Sequence, residues 1–368
     1  MKFGLFVMPC HDHRGNPTLA FERDLNLIEF AESIGFDEVF TGEHHSGGWE
    51  NIPAPDLFIS AAAQRTSRIR LGTGVIILPY HDPFMVAERM AFLDHLSHGR
   101  VILGVGGGGL ATDVKLFDLD RTKFPAMTDE ALELILRLLR EDGPITHEGE
   151  FWTLKDVELQ IKPYQDPFPV AYSSVGSPHS IDVIAKHDLL MLSGNFRQGV
   201  RAQELRETWG KVEAKAAEYG RVMSRDQWRA VNYVYLSDTP KRALVEMEEG
   251  FRNEFQGYWF NLGWNDEYEE YKGQAPNEIT MEQILRKTGW IVGDPDQCIR
   301  WLKELEEQTG GLGGLIITSS ADWARREDWY HSLELFAKYV IPEFKRSNRG
   351  TKRAFNRLVQ DKAAGTLP

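Results

Sequence analysis

Residues 69–105 read IRLGTGVIILPYHDPFMVAERMAFLDHLSHGRVILGV, which forms one strand–helix–strand unit. The apolar run 69–78 predicts a buried strand, and residues 100–105 predict another. Between them, residues 83–96 predict a helix that begins with a proline, as helices often do. Two buried strands joined through a helix are typical of a parallel sheet, because the chain must cross back before it can pair in the same direction.

The same alternation continues on both sides of this unit. Further strands are predicted at 2–8, 37–41, 169–174, 188–193, 228–236 and 313–318, and further helices at 18–34, 55–66, around 132–139, 201–218, 239–252, 295–308 and 328–340. Eight such units favour a closed (β/α)8 TIM barrel, an α/β fold, as a single domain over residues 1–343. The alternative is an open, doubly wound sheet.

Three segments do not fit this alternation of strands and helices. Residues 144–162 predict a hairpin excursion, and residues 344–368 form a basic, polar extension that we expect on the surface. Residues 253–289 form an insertion rich in tryptophan, tyrosine and phenylalanine. Because it follows the seventh strand, this insertion is either a lid over the active end of the barrel or a cluster packed on the barrel exterior.

Composition narrows the class of protein. The 368 residues are 42% hydrophobic and carry a formal charge of −13, which argues against nucleic acid and anionic membranes as partners. Two distant cysteines do not make a disulfide framework, so we expect a reducing, cytoplasmic setting. No apolar run approaches the ~18 residues that a membrane span needs.

In a TIM barrel the active site lies at the carboxyl ends of the strands. The sequence places ionisable, hydroxyl and bare-backbone residues at these ends, namely in the segments 43–45, 74–79, 106–109, 173–177 and 193–195. This mixture suits a ligand with a phosphate and a flat heteroaromatic ring. No nucleophile–base arrangement such as G-x-S-x-G is present, so hydrolase chemistry is poorly supported.

Glu43-His44-His45 is the segment among these that carries ionisable side chains. A metal site is one interpretation, but adjacent histidines point in different directions and lack the i, i+4 spacing of a helical zinc pair. His11 and His13 are the nearby candidates for further ligands. A turn in which a histidine bonds to the backbone is the plainer alternative.

Two other segments indicate how a cofactor could be held. Glycines at 106–109 would let a flat group approach the backbone closely, because glycine has no Cβ. Gly176-Ser177-Pro178 precedes a predicted helix, whose free amides favour an anion such as phosphate. Ser177 could equally be a simple helix cap.

Several motifs together resemble the bacterial-luciferase type of flavin monooxygenase over residues 1 to about 343. They are the segments GFDEV at 35–39, GEHH at 42–45, LGTGVIILP at 71–79, LDHLSHGR at 93–100 and VGDPDQC at 292–298. The segments NPTLA at 16–20, HHSGGWE at 44–50, LPYH at 78–81 and LGVG at 103–106 are most similar to the limonene-monooxygenase type.

The resemblance implies a two-component monooxygenase. Reduced FMN would come from a separate NAD(P)H-dependent flavin reductase and react with O2 to give a C4a-(hydro)peroxyflavin. That species would oxygenate an apolar small molecule, such as a terpene, a cyclic ketone or an aldehyde. The alternatives are an F420-dependent oxidoreductase on the same barrel and a flavin-binding protein without turnover. A homodimer is expected, as in other family members.

The resemblance also assigns residues. His44 matches the catalytic histidine beside the flavin, Glu43 would orient its surroundings, and a non-proline cis peptide is expected at Gly74–Val75. The residues expected to contact the cofactor are Thr73, Gly74, Val75, Gly106, Gly107, Ser174, Gly176, Ser177, His179 and Ser193. Trp49 and Tyr80 are expected at the substrate. The phosphate-binding arginine of luciferase is replaced by Gly107, so amides near Ser177 and the His179 side chain would hold the phosphate instead.

Overall fold

Eight parallel strands form a closed barrel in the computed structural model, which describes residues 1–194, 199–319, 322–364 and 366, with the backbone alone for Ser319. The strands are β1 (Lys2–Val7), β2 (Glu38–Thr41), β3 (Arg70–Thr73), β4 (Val101–Gly106), β5 (Val170–Ser174), β6 (Leu190–Ser193), β7 (Trp228–Leu236) and β8 (Gly314–Ser319). Each strand pairs in parallel with the next, and β8 pairs with β1, which closes the ring. The predicted (β/α)8 barrel is confirmed, and the open-sheet alternative is wrong.

Helices cover the outside of the barrel. They are α1 (Pro17–Ser33), α2 (Pro55–Arg65), α3 (Pro83–Leu96), α4 (Ala111–Leu116), α5 (Phe124–Arg140), α6 (Pro178–His187), α7 (Ala202–Glu218), α8 (Pro240–Gly257), α9 (Met281–Lys287), α10 (Pro295–Thr309), α11 (Arg326–Leu335), α12 (Ile341–Lys345) and α13 (Arg349–Ala363). Many begin with proline behind a capping side chain, as at Asn16, Asp82 and Asp294, so local sequence fixes these starts. The helix predicted at 328–340 is less regular, because α11 continues into a π-helical segment, Phe336–Val340.

The third strand differs from its prediction. The sequence indicated one strand over 69–78, but β3 ends at Thr73 and a second short strand, Ile76–Ile77, pairs with β4 further along. The interruption falls at Gly74–Val75, whose peptide bond is cis, as the family resemblance led us to expect.

The barrel interior contains a buried ion pair near its amino-terminal end. Arg229 on β7 donates from two nitrogens to Glu38 on β2, at 2.7 and 2.9 Å, and both side chains are almost completely buried. Further up, aromatic side chains fill the interior, including Tyr233 stacked on Trp323 with ring centroids 4.8 Å apart. The barrel interior is therefore packed with side chains, and the open space lies at the carboxyl ends of the strands.

The predicted hairpin excursion is confirmed as an antiparallel pair, Ile145–Glu148 with Thr153–Val157. The insertion after β7 contains the short 3-10 turns Trp259–Leu262, Asn265–Glu267 and Pro276–Glu278, followed by α9 and a strand, Ile291–Gly293, that pairs with β7.

At the other end of the chain, α13 has no buried residue along its length. Among the described residues, no helix has both the length and the apolar character that crossing a bilayer requires.

Candidate active site

A cavity of about 360 Å³ lies at the carboxyl ends of the strands, where the sequence predicted the site. Its apolar walls are formed by Phe6, Met8, Leu110, Trp259, Leu262 and Trp264. The polar side chains that line it include His44, Glu50 and Arg121, and the backbone of Gly74 forms part of the floor. The arrangement suits an apolar molecule placed against a few ionisable groups.

His44 lies between two carboxylates. Its Nδ1 is 3.0 Å from Oδ2 of Asp113, and its Nε2 is 3.4 Å from Oε1 of Glu50. Because the Asp113 carboxylate can only accept, Nδ1 carries a hydrogen and Nε2 faces Glu50. Burial alone would lower the pKa of His44, but the negative charges of Glu50 and Asp113 outweigh it, and the pKa is raised.

Asp113 is fixed by the loop that carries His44. Its carboxylate also accepts from the backbone amide of His45 at 3.1 Å and from the Ser46 hydroxyl. Burial would raise the pKa of Asp113, but these bonds and the bond to His44 lower it. Asp113 therefore stays ionised and holds the imidazole in one orientation.

Glu50 accepts fewer hydrogen bonds than Asp113 does. Its Oε2 accepts from the Tyr258 hydroxyl at 2.6 Å, and Oε1 faces His44. Burial raises the pKa of Glu50, and His44 and Tyr258 offset only part of that increase. Burial and the Glu50 charge together raise the pKa of Tyr258, so its hydroxyl keeps its hydrogen.

Glu43 points away from His44 into a separate cluster. Its Oε1 accepts from Nε2 of His45 at 2.8 Å and from Nε2 of His81 at 2.7 Å, while Oε2 accepts from the amide of Ile77 at 3.0 Å. The donor atoms of Glu43, His45 and His81 lie within 4.8 Å of one another, as metal ligands would. However, hydrogen bonds to both imidazoles and to the backbone already satisfy the carboxylate.

The glycines predicted beside the cofactor, Gly106 and Gly107, lie close to neighbouring side chains, and neither lines the cavity. A Cβ added to Gly106 would lie 3.1 Å from Cγ2 of Val75, and one added to Gly107 would lie 3.2 Å from Oγ1 of Thr128. Larger side chains would therefore crowd this end of β4. The Thr73 hydroxyl, by contrast, exchanges two hydrogen bonds with the backbone of Gly104, so it ties β3 to β4.

The hydroxyls predicted near the phosphate are bonded within the protein. Ser177 caps α6 by accepting from the amide of Ser180, and Ser174 bonds both the Ser180 hydroxyl and the amide of Gly176. Ser193 bonds the Trp228 indole and the backbone of Arg229.

A small cleft adjoins these hydroxyls. Ser174, Gly176 and Ser193 line it, and so do Arg201 and Thr208, which the sequence did not single out. His179 is not among the residues that line this cleft. Its side chain is 41% exposed and pairs with Asp129 at 3.2 Å.

Trp49 and Tyr80, predicted at the substrate, are not among the residues that line the cavity. Trp49 is buried and stacks on Tyr258, and Tyr80 stacks on Phe117 with centroids 4.4 Å apart. The Tyr80 hydroxyl is buried without a hydrogen-bond partner in the described part of the chain. Both residues support the loops around the cavity rather than its surface.

The insertion contributes both to the cavity and to the buried core. Trp259, Leu262 and Trp264 line the cavity, while Phe260 and Tyr268 belong to the buried cluster that continues into the barrel interior. Asp113 and Tyr258 were not predicted as site residues, because they lie far from His44 in sequence. Glu50 and His81 stood within family motifs, but no pattern indicated that Glu50 would face the His44 imidazole or that His81 would bond Glu43.

The barrel, the cis peptide and the histidine at the end of β2 define the class of protein. The chain belongs to the luciferase-like monooxygenase family, whose model matches residues 1–311.

Among its relatives, the chain is 36% identical to 4-hydroxyprotoasukamycin monooxygenase of Streptomyces nodosus subsp. asukaensis, over 99% of this chain and 98% of that protein. It is 33% identical to limonene 1,2-monooxygenase of Rhodococcus erythropolis, over 98% and 90%.

A solved structure is similar as well. It is the oxygenating constituent of 3,6-diketocamphane monooxygenase of Pseudomonas putida, a type II Baeyer-Villiger monooxygenase in complex with FMN. Its TM-score is 0.78, with 26% identity over 93% of this chain and 98% of that one.

Proposed function

We propose that the protein is the oxygenase of a two-component system that uses reduced FMN and O2 to oxygenate an apolar small molecule. The observation that carries this proposal is one histidine, His44, held between two carboxylates in an otherwise apolar cavity beside the Gly74–Val75 peptide. The names of the relatives support the reaction class. A terpene, a cyclic ketone or an aldehyde fits the apolar walls.

The residues present fit a flavin. The flat ring would lie against the backbone of Gly74 and Gly109, which line the cavity. Thr73 and Gly106 end the adjacent strands β3 and β4 and would support the ring together with Val75 and Gly107, and Ser193 ends β6. Ser174 and Gly176 line the small cleft beside the amino terminus of α6 and would receive the phosphate there, together with the first amides after Ser177. Arg201 lines the same cleft, whereas His179 would have to leave Asp129 to reach it. When bound, reduced FMN supplies the electrons that activate O2.

We assign proton handling to His44 and support of the loop to Glu43. An imidazole can give or take a proton near neutral pH, and the Asp113 contact fixes which nitrogen faces the cavity. Glu43 holds His45, His81 and the strand that follows the cis peptide, so it shapes the floor on which the ring would lie. We assign no metal ion to this cluster, and adding a chelator to the assay below tests that assignment.

An NAD(P)H-dependent flavin reductase is the proposed functional partner. The similar diketocamphane protein is the oxygenating constituent of its monooxygenase, which supports a separate reductase here. A homodimer in a cytoplasmic setting, without nucleic acid or membrane, completes the proposal.

The test is product formation from terpenes, cyclic ketones and long-chain aldehydes, with FMN, NADH and a flavin reductase. We expect His44→Ala to bind FMN as the wild type does but to release peroxide in place of oxygenated product, with a loss of about 10²-fold or more. Oxygenation by this variant at the wild-type rate would show that the assigned role is wrong.

Two alternatives give different results. An F420-dependent oxidoreductase would change the spectrum of reduced F420 but not that of FMN. A flavin-binding protein without turnover would consume oxygen and yield no product from any substrate.

A further inference from the structure

Glu50 and His44 face each other across the wall of the cavity. Their nearest atoms, Oε1 of Glu50 and Nε2 of His44, are 3.4 Å apart, and both side chains line the cavity. That distance exceeds a formed hydrogen bond, but a small side-chain rotation closes it, and contacts of this kind often shorten when a ligand binds. The other nitrogen of His44 is engaged by Asp113, so Nε2 is the atom free to exchange a proton.

Tyr258 fixes the position of Glu50. Its hydroxyl is 2.6 Å from Oε2, and its ring stacks on Trp49 with centroids 5.9 Å apart. A Cβ added to Gly47 would lie 2.8 Å from the Tyr258 oxygen, so a glycine is needed for this approach. The loop after β2 and the insertion after β7 are thus joined at the carboxyl group of Glu50.

We propose that Glu50 replenishes the proton of His44 and that Tyr258 of the insertion positions the carboxyl group for this transfer. As the proton on Nε2 leaves for a molecule in the cavity, the proton on Oε1 of Glu50 moves to Nε2. No electrons are transferred, and the resulting carboxylate is stabilised by the Tyr258 hydroxyl. It regains a proton from water when the cavity next exchanges its contents. This inference rests on the proposed function and assigns a second proton-holding residue to the same site.

The surroundings support this assignment. The titratable groups that face Glu50 are His44, Asp113, Tyr258, Cys10 and Tyr233. Asp113 raises the pKa of Glu50, whereas His44 and Tyr258 lower it, and burial has the largest effect, which is upward. Of the three carboxyl groups around His44, Glu50 is therefore the one whose pKa is raised, whereas those of Glu43 and Asp113 are lowered.

The experiment is a pH titration of the His44 imidazole by NMR, on the full-length protein without flavin and with labelled histidine. Glu50→Gln keeps an oxygen for the Tyr258 hydroxyl but can neither ionise nor hold a proton. We therefore expect the His44 pKa to fall, and the additional step that titration of Glu50 imposes on the His44 shift curve of the wild type to disappear. Tyr258→Phe should lower it less, because an unsupported carboxylate is protonated more readily. Glu246→Gln is the matched control. Glu246 also accepts from a tyrosine hydroxyl, that of Tyr235 at 2.9 Å, but it does not line the cavity. This variant should leave the pKa of His44 unchanged.

A His44 titration that is the same in Glu50→Gln and wild type would overturn the proposal. If Glu50→Gln does not fold, Tyr258→Phe, which keeps the packed ring, takes its place. A His44 pKa that is the same in Tyr258→Phe and wild type would then overturn the proposal. In turnover, Glu50→Gln should lower kcat about 10²-fold with little change in KM. A lack of oxygenated product from the wild type would contradict the proposed function but leave the titration result intact, so the two failures are distinguishable.

Discussion

Three of the buried glutamates show how a single residue type takes different roles from its partners. Glu38 meets a guanidinium, Glu43 meets two imidazoles and an amide, and Glu50 meets a phenol and one distant imidazole. Burial would raise the pKa of all three, but the partners of Glu38 and Glu43 outweigh burial and those of Glu50 do not. Of these three side chains, Glu50 is therefore the one whose pKa lies above its usual value, while Glu38 and Glu43 hold neighbouring elements through ionised contacts.

The Glu38–Arg229 pair leads to a prediction about stability. Arg229→Ala leaves a buried carboxylate without its partner, so we expect the free energy of unfolding at pH 7 to fall by about 3–5 kcal/mol. Urea denaturation measures this. Arg252→Ala, which removes an exposed pair with Glu248, should cost less than about 1 kcal/mol.

The Glu38–Arg229 pair also predicts how the free energy of unfolding changes with pH. The pKa of Glu38 is lower in the folded protein than its usual value of 4.5, so its contribution is present above that value and is lost as the pH falls. The difference in the free energy of unfolding between wild type and Arg229→Ala should therefore become smaller below pH 4.5. A difference that stays constant down to pH 3 would contradict this explanation.

At the scale of elements, alternating periodicities were sufficient to predict the barrel. Each strand–helix unit has its own apolar pattern and its own proline-led helix start, so local sequence determines where most elements begin. The break at Gly74–Val75 could not be derived from periodicity, since apolar residues stand on both sides of it, at Leu71 and at 75–78. Family resemblance alone indicated it.

The candidate site was less predictable than the fold, because its contacts join distant residues. His44 was found from its place after β2, but Asp113 is 69 residues away and Tyr258 is 208 residues from Glu50. Short polar side chains such as Ser177 were ambiguous for a different reason. A cap and a phosphate ligand use the same atoms, and the structure shows the capping bond.

The join between the loop after β2 and the insertion can be tested with two neighbouring glycines. Gly47 and Gly48 both have a positive φ, of 79° and 77°, so alanine is strained at either position by about 1–2 kcal/mol. Only at Gly47 would the new Cβ meet Tyr258, whereas at Gly48 it meets nothing within 4 Å. Gly47→Ala should therefore displace the insertion and Gly48→Ala should not.

Limited proteolysis measures that displacement. We expect cleavage between residues 258 and 290 to be at least tenfold faster in Gly47→Ala than in Gly48→Ala, with KM for an apolar substrate raised as well. Equal cleavage rates in the two variants would show that the insertion does not depend on this contact.

For the whole molecule, charge is unevenly distributed. The chain carries −13 overall, yet residues 344–368 contain seven lysines and arginines and one aspartate. Helix α13 presents Phe355, Leu358 and Val359 on one exposed side, and the family model ends at residue 311, well before it. The proposed division into a barrel of residues 1–343 and a surface extension of 344–368 stays a prediction. The exposed helix α13 fits it, but α12 runs across residue 344, and Phe344 packs against Phe3 of the barrel with ring centroids 6.1 Å apart.

Removing residues 349–368 tests that division. Because no residue of α13 is buried, deletion removes little packed apolar surface, and we expect Tm to fall by less than about 3 °C. Thermal unfolding measures the stability, and sedimentation of both chains measures the number of subunits. A similar Tm with an unchanged subunit number would support a barrel that folds and assembles without the extension. A fall of 10 °C or more, together with a change from dimer to monomer, would instead show that the apolar side of α13 is covered in the assembled protein.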